Sequence, residues 1–246
     1  MNPADGTPIL AAAGIRKRFG ALVVLHDVDF ALGADEAVGI VGPNGAGKTT
    51  LLNVLAGSLQ PNAGTVWFHD AEVTARGAAQ RCRLGVARAH QVPRPFGGMT
   101  VFENVFVSAA TGGGHKGGQA YRRCIDALEL CGMLDAANRR AETLGLIDRK
   151  RLELARALAT DPVVLLLDEI GAGLTDEEAS VLVGTIRELH RRGIAIVWIE
   201  HIVHVLVQVV ERLVCMDAGR VIADGNPEAV MADAAVIDAY LGSRAP

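Results

Sequence analysis

A glycine-rich stretch between two apolar segments has the composition of a phosphate-binding loop. Residues 42–49 fit the pattern G-x-x-x-x-G-K-[ST]. Glycines let consecutive backbone N–H groups converge on phosphate oxygens, and a helix that follows directs its positive end at the same anion. Lys48 would reach the β- and γ-phosphates, and the Thr49 hydroxyl would ligate Mg²⁺. The predicted phosphate-binding residues are Gly42, Pro43, Asn44, Gly45, Ala46, Gly47, Lys48, Thr49 and Thr50.

A pair of carboxylates supplies the second part of such a site. Asp168 and Glu169 directly follow the apolar run 163–167, which is typical of a strand buried on both faces. Asp168 would emerge at the strand tip and hold Mg²⁺ or its water. Glu169 would polarise the water that attacks the γ-phosphorus. The sequence therefore predicts a nucleoside triphosphate and Mg²⁺ as ligands.

The elements around these residues predict an α/β fold. Apolar runs alternate with helical periodicity, and that order implies a parallel sheet. Alternation at Val28, Phe30 and Leu32 predicts an antiparallel β region near the N-terminus. The predicted strands are 28–32, 37–41, 65–68, 163–167, 194–199 and 213–216, and the predicted helices are 48–56, 121–131, 148–159 and 176–191. The P-loop core is thus interrupted by a helical insertion, roughly residues 95–160, and the glycine patch 112–118 is predicted to be a flexible surface loop.

The phosphate loop, the carboxylate pair and the predicted elements, in this order, resemble the ATP-binding subunit of an ABC transporter over nearly the whole chain (8–243). That resemblance implies ATP as the nucleotide and a P-loop NTPase core of the ABC type with an antiparallel β subdomain and a helical subdomain. It also implies that Gln91 senses Mg²⁺ and the attacking water, that His201 contacts the γ-phosphate and that Phe19 stacks on adenine. Glu169, His201 and Gln91 are then the expected catalytic residues, and Thr49, Gln91 and Asp168 the expected metal ligands.

Three shorter stretches are similar to the branched-chain amino-acid importer ATPases: 99–105, 151–158 and 237–242. The similarity implies an importer subunit for branched-chain amino acids or a related small polar solute. ATP binding would close two such subunits and hydrolysis would reopen them, driving a membrane permease through the helical insertion. A solute-binding protein outside the membrane would take part indirectly, and a urea, amide or aromatic-compound importer of the same subgroup stays open.

The chain departs from this family at the signature motif. Residues 144–148 read Leu-Gly-Leu-Ile-Asp where a sequence close to Leu-Ser-Gly-Gly-Gln is expected. The serine hydroxyl is lost, and Asp148 at a helix start would repel phosphate. Because this segment completes the partner's site in the family, we expect an asymmetric heterodimer in preference to a homodimer. Ile170 stands where the family usually has a proline, and Ile202 where it often has an aspartate. Neither change removes a group that takes part in the chemistry.

Composition excludes other classes of protein. A formal charge of −4 and a pI near 6.0 give no general attraction to nucleic acid, so the basic clusters 16–18 and 149–151 are interpreted as solvated faces and subunit contacts. The four cysteines lack metal-ligand spacing and are expected to be buried and reduced. No signal peptide or run of about 18 apolar residues is found, so we expect a peripheral protein at the cytoplasmic face of the cell membrane.

Rival functions stay open at this point. The degraded signature favours a nucleotide-binding ABC module that closes on ATP with little turnover, whereas intact Glu169 and His201 argue for hydrolysis. A soluble ABC ATPase acting in DNA repair or on the ribosome usually has two cassettes or a long coiled coil. A P-loop kinase or GTPase is disfavoured by the carboxylate pair.

Overall fold

The computed structural model describes residues 7–242, which form two β-sheets and the helices around them. The larger sheet has six strands in the order β10-β9-β3-β8-β7-β6. Its five strands from β9 to β6 are parallel to their neighbours, and β10 is antiparallel to β9 at one edge. These strands are β3 Ala37–Val41, β6 Val86–Ala89, β7 Val164–Asp168, β8 Ala195–Ile199, β9 Arg212–Asp217 and β10 Arg220–Gly225.

The smaller sheet is antiparallel, with four strands in the order β2-β1-β4-β5. They are β1 Leu10–Phe19, β2 Leu22–Leu32, β4 Ala63–Phe68 and β5 Ala71–Glu72. The alternating side chains of β2 send Val28, Phe30 and Leu32 into the core that the two sheets share. The predicted antiparallel β region is therefore confirmed.

Nine α-helices are found among residues 7–242. They are α1 Lys48–Leu55, α2 Ala78–Leu84, α3 Val101–Val107, α4 Gly117–Leu130, α5 Leu146–Leu158, α6 Asp176–Arg191, α7 Val203–Leu206, α8 Pro227–Ala232 and α9 Ala234–Gly242. Three of them, α3, α4 and α5, lie between β6 and β7, in the stretch for which the sequence predicts a helical insertion. No helix within the described residues is both long and apolar enough to span a membrane.

The parallel sheet brings the chemistry-bearing residues to one edge. Strands β3, β7 and β8 are completely buried, which matches their continuous apolar sequences. Because their carboxyl ends meet at the same edge, the phosphate loop after β3, the carboxylates at the end of β7 and the turn after β8 become neighbours.

The glycine patch differs from its prediction. Residues Ser108–Gly112 form a π-helical turn that continues α3, and α4 already begins at Gly117. Gly112 packs so closely that a Cβ there would lie 2.9 Å from Thr160 Cγ2. Packing against Thr160 holds Gly112 in this turn, so the prediction of a flexible surface loop is wrong for Gly112, the first residue of the patch.

Candidate functional site

The phosphate loop joins β3 to α1 in a conformation that only glycines adopt easily. Gly42 has φ +141° and Gly47 has φ +100°. A Cβ on Gly42 would overlap the Met216 carbonyl oxygen, and one on Gly47 would lie 2.8 Å from Leu25 Cδ2. The glycines at these positions therefore allow the loop to pack directly against β9 and β2.

Lys48 lies inside the loop that precedes it. Its Nζ donates to the Gly42 carbonyl at 2.6 Å and to the Pro43 carbonyl at 3.0 Å. Burial lowers the pKa of this ammonium, although nearby Glu169 opposes the shift. A cavity of about 240 Å³ opens beside it, lined by the loop residues 44–50 together with Val24 and Glu169. The loop thus surrounds a space that is large enough for phosphate groups and has a buried cation at its wall.

The Asp168 carboxylate ends β7 beside the loop. Thr49 Oγ1 donates to Asp168 Oδ1 at 3.2 Å. Arg88, from β6, donates to Asp168 Oδ2 at 2.6 Å and to Asn53 Oδ1 at 2.5 Å. A hydroxyl and a buried carboxylate are the hard oxygen ligands that Mg²⁺ prefers, so these residues fit the ion. Sequence reasoning missed Arg88, although a basic residue in an apolar strand signals a buried partner.

Glu169 lies between the other two predicted catalytic side chains. His201 Nε2 lies 2.8 Å from Glu169 Oε1, and the Gln91 amide donates to Oε2. The Glu169 backbone is left-handed, with φ +48°, and its N–H donates to the Ile199 carbonyl at 2.9 Å. Three segments that are far apart in the sequence therefore converge on one carboxylate at the rim of the phosphate cavity.

The backbone after Glu169 is held by two further charged groups. Lys150 Nζ donates to the Ile170 carbonyl at 2.8 Å and to the Ala172 carbonyl at 2.6 Å. Glu200 Oε1 accepts the Gly171 N–H at 2.6 Å. The prediction that the cluster 149–151 is a solvated face is therefore wrong for Lys150, because the loop carbonyls compensate the burial of its ammonium.

Of two aromatic residues considered for this region, Tyr240 contacts the phosphate loop and Phe19 lies outside the cavity. Phe19 ends β1 half exposed, with Lys17 Nζ 5.2 Å from its ring centre, and it is not among the residues lining the 240 Å³ cavity. The Tyr240 hydroxyl, on α9, accepts the Gly42 N–H at 2.9 Å. Sequence reasoning assigned residues 237–242 to the subgroup resemblance but not this contact with the phosphate loop.

The divergent signature stretch forms the start of α5. Gly145 is the N-cap, and Asp148 lies in the first helical turn. The Asp148 carboxylate is 3.6 Å from Arg151 Nη1 and 3.9 Å from Arg139 Nη1. Leu146 is 51% exposed at the same helix end. At this helix N-terminus an exposed apolar side chain therefore stands where the family has a glycine, and a carboxylate stands where it has a glutamine.

The structure brings most of the predicted site residues together. The phosphate loop, Asp168, Glu169, Gln91 and His201 form one cluster. Gln91 contacts Glu169; no hydrogen bond joins it to Thr49 or Asp168 among the described residues, so its role as a metal ligand stays a prediction. The cysteines of the described chain are unpaired: Cys124, Cys131 and Cys215 are buried, whereas Cys82 is half-buried.

Two known sequence families match this chain. The ABC transporter family matches residues 25–172, and the branched-chain amino acid ATP-binding cassette transporter family matches residues 220–246. The chain is 36% identical to the high-affinity branched-chain amino acid transport ATP-binding protein LivG of Escherichia coli K12, covering 96% of this chain and 98% of that protein. It is 34% identical, with the same coverage, to BraF of Pseudomonas aeruginosa, whose name describes the same transport function.

Solved structures share the fold. A nucleotide-free ATP-binding cassette from an ABC transporter superposes with a TM-score of 0.88 at 28% identity, covering 95% of this chain and 98% of that one. The ADP conformation of another such cassette, MJ1267, gives a TM-score of 0.87 at 29% identity, covering 96% and 100%.

Proposed function

This chain belongs to the ATP-binding subunits of the ABC transporter family, and from that premise we propose how its residues bind and hydrolyse ATP and which solute is imported. It is an ATPase that works with membrane permease subunits. We propose branched-chain amino acids, or a related small polar solute, as the cargo, because LivG and BraF carry that function in their names over almost their full lengths.

The convergence of Gln91 and His201 on Glu169, beside the phosphate loop, is the observation that carries the proposed mechanism. The N–H groups of the loop and Lys48 bind the β- and γ-phosphates. Thr49 and Asp168 would hold Mg²⁺, which neutralises charge on the phosphates when it is bound.

Glu169 then acts as the general base. It takes a proton from a water molecule while the water oxygen bonds to the γ-phosphorus, and the bond from that phosphorus to the bridging oxygen breaks to leave ADP and phosphate. His201 would contact the γ-phosphate, and Gln91 would orient the water. Phe19 would stack on adenine from the end of β1.

The substitution Glu169→Gln tests the base. It keeps the shape of the side chain but removes its ability to accept a proton, so turnover should fall by about 10²–10⁴-fold while ATP binding is retained. Glu188→Gln is the matched control, because Glu188 pairs with the surface residues Arg191 and Arg192 at the end of α6. Undiminished hydrolysis in Glu169→Gln would contradict the assignment.

We also propose that the working unit is an asymmetric heterodimer. The start of α5 already places the Asp148 carboxylate where a helix attracts an anion, and no serine hydroxyl is offered there. A lost hydrogen bond to a charged phosphate is worth about 1.5–3 kcal/mol, or roughly 10- to 150-fold in affinity. The site that this chain completes for its partner would be the weaker of the two.

Light scattering of the Glu169→Gln chain tests this proposal. Without a partner subunit, the chain should bind Mg-ATP and stay monomeric. The double variant Gly145→Ser/Asp148→Gln, made in the same background, restores the missing hydroxyl and removes the repulsive charge, and should shift toward a dimer. A dimer of the single variant at micromolar protein would refute the heterodimer.

The remaining assignments follow from the same premise. We treat residues 8–243 as one ATP-binding domain, in which a helical subdomain, roughly residues 95–160, contacts the permease; residue 243 lies outside the described residues. The subunit would be peripheral at the cytoplasmic face of the inner membrane, and a solute-binding protein would act indirectly. We propose no nucleic-acid partner. The comparisons lend no support to the alternative of a regulatory module that closes with little turnover.

A further inference from the structure

The three residues after Glu169 lie between two buried side chains of opposite charge. The Lys150 ammonium, on α5, binds the carbonyl groups of Ile170 and Ala172. The Glu200 carboxylate, after β8, binds the N–H of Gly171. Lys150 is only 5% exposed and Glu200 only 2%. Two charges so deeply buried are costly unless each meets compensating partners, and the partners here are these backbone groups.

We propose that Lys150 and Glu200 are positioning residues, which hold the backbone of residues 170–172 and thereby aim the Glu169 carboxylate at the water. The inference rests on the proposed role of Glu169 as the base. It also links the first turns of α5, where the signature motif of the family lies, to the general base of the same chain.

The backbone at Glu169 needs such support. A non-glycine residue with φ +48° is strained and persists only where its surroundings hold it. Ile170 stands where the family has a proline, so no ring restricts the backbone at the next residue. The Lys150 and Glu200 hydrogen bonds therefore restrain both sides of the Ile170–Gly171 peptide, one residue after the base.

The packing at Gly171 leaves little room for a side chain. A Cβ on Gly171 would lie 2.9 Å from Glu200 Oε1. The same carboxylate oxygen accepts the Trp198 indole N–H at 3.2 Å. Glu200 is therefore fixed from β8, and the Trp198 ring, which is fully buried, contacts the positioning carboxylate directly.

The first test compares steady-state ATP hydrolysis of Lys150→Met, Lys150→Arg and Glu200→Gln with that of the unaltered chain, each assembled with the permease and the second ATP-binding subunit. Turnover is divided by the number of sites that bind a fluorescent ATP analogue, so that unfolded molecules do not count. A displaced base should lower kcat by about 10–100-fold with KM for ATP within twofold. Lys150→Arg should recover part of the rate, because a guanidinium can still donate to both carbonyls. Arg191→Met is the matched control and should change neither constant, because Arg191 is exposed and pairs with Glu188 on the surface of α6.

The second test uses Trp198 as a reporter. The chain contains two tryptophans, and in a Trp67→Phe background Trp198 is the single emitter. Lys150→Met and Glu200→Gln should each shift its emission, because the environment of the Glu200 carboxylate changes, whereas the surface variant Arg191→Met should not. Adding Glu169→Gln to Lys150→Met should lower the residual turnover no further than Glu169→Gln alone, since both changes act through one carboxylate.

The outcomes separate the two proposals. If Glu169→Gln hydrolyses ATP normally, the proposed base is wrong. If Glu169→Gln is inactive while Lys150→Met and Glu200→Gln keep a normal kcat, only the positioning role is overturned. If Lys150→Met fails to bind nucleotide at all, Glu200→Gln and Gly171→Ala decide, and a normal kcat in both overturns the inference.

Discussion

Removing Arg88 should expose how strongly burial governs the charge network of this site. Its guanidinium bridges Asp168 Oδ2 at 2.6 Å and Asn53 Oδ1 at 2.5 Å, and the exposed fractions of the Arg88 and Asp168 side chains are 10% and 3%. Arg88→Met keeps an unbranched stem of similar reach but leaves the buried carboxylate without its cation. A buried charge left alone in this way is a severe defect.

The size of the effect follows from the burial. Breaking a buried ion pair by removing one partner costs about 3–5 kcal/mol. For a chain of this length, each kcal/mol lowers Tm by about 2–4 °C, so Arg88→Met should lower Tm by about 6–20 °C. Arg123 and Asp161 form a pair of nearly the same length, 2.5 Å, with side chains 38% and 48% exposed. Solvent screens that pair, so Arg123→Met should cost at most about 1 kcal/mol, or about 4 °C or less.

Thermal unfolding of the nucleotide-free protein, followed by circular dichroism, measures both variants. Arg88→Lys should fall between them, because a single ammonium cannot donate to Asn53 and Asp168 in the fixed fork of a guanidinium. Equal shifts of Tm for Arg88→Met and Arg123→Met would refute the reasoning, since the two pairs differ mainly in their exposure to water.

Three further predictions concern the phosphate loop and the thiols. Gly42→Ala should abolish nucleotide binding, because its Cβ would overlap a backbone carbonyl. The control is Gly132→Ala: Gly132 has φ +62° and open space around it, so this variant should only lower Tm by a few degrees. Equilibrium binding of a fluorescent ATP analogue distinguishes the two variants. Tyr240→Phe removes the acceptor of the Gly42 N–H and should weaken nucleotide binding by about fivefold, the equivalent of about 1 kcal/mol; unchanged affinity would show that this hydrogen bond does not shape the loop. Burial raises the pKa of three thiols to about 11 or about 12, so iodoacetamide at pH 8 should alkylate them only after denaturation, as mass spectrometry would show, and rapid labelling of the folded chain would contradict this. They are Cys124, Cys131 and Cys215.

Local patterns located most of the elements. Helix α6 spans Asp176–Arg191 as predicted, because its capping box at Thr175 and Glu178 and its apolar periodicity are contiguous in the chain. Strand β3 also matches its prediction, and α1 ends at Leu55, within one residue of its predicted end, with Gly57 at φ +74° after it. These signals act over a few residues, so the sequence displays them directly.

Partly buried strands and short helices were missed for the opposite reason. Strands β1 and β10 are only partly buried and have weak apolar patterns, and pairing with distant strands holds them in place. Gly112, the first residue of the glycine patch, is helical because it packs against Thr160, which is far away in the sequence. Such elements depend on contacts that a local pattern does not contain.

The sequence by itself determined the phosphate loop, the carboxylate pair and the family, because those residues are contiguous and each motif specifies its own backbone. Only the tertiary structure decided what surrounds the carboxylates. Arg88, on β6, reaches Asp168 across 80 residues of sequence. Lys150, on α5, reaches the carbonyl of Ile170 after β7. A buried charge takes its partner from whichever element folding brings within about 3 Å, and that choice is made by packing of the whole chain.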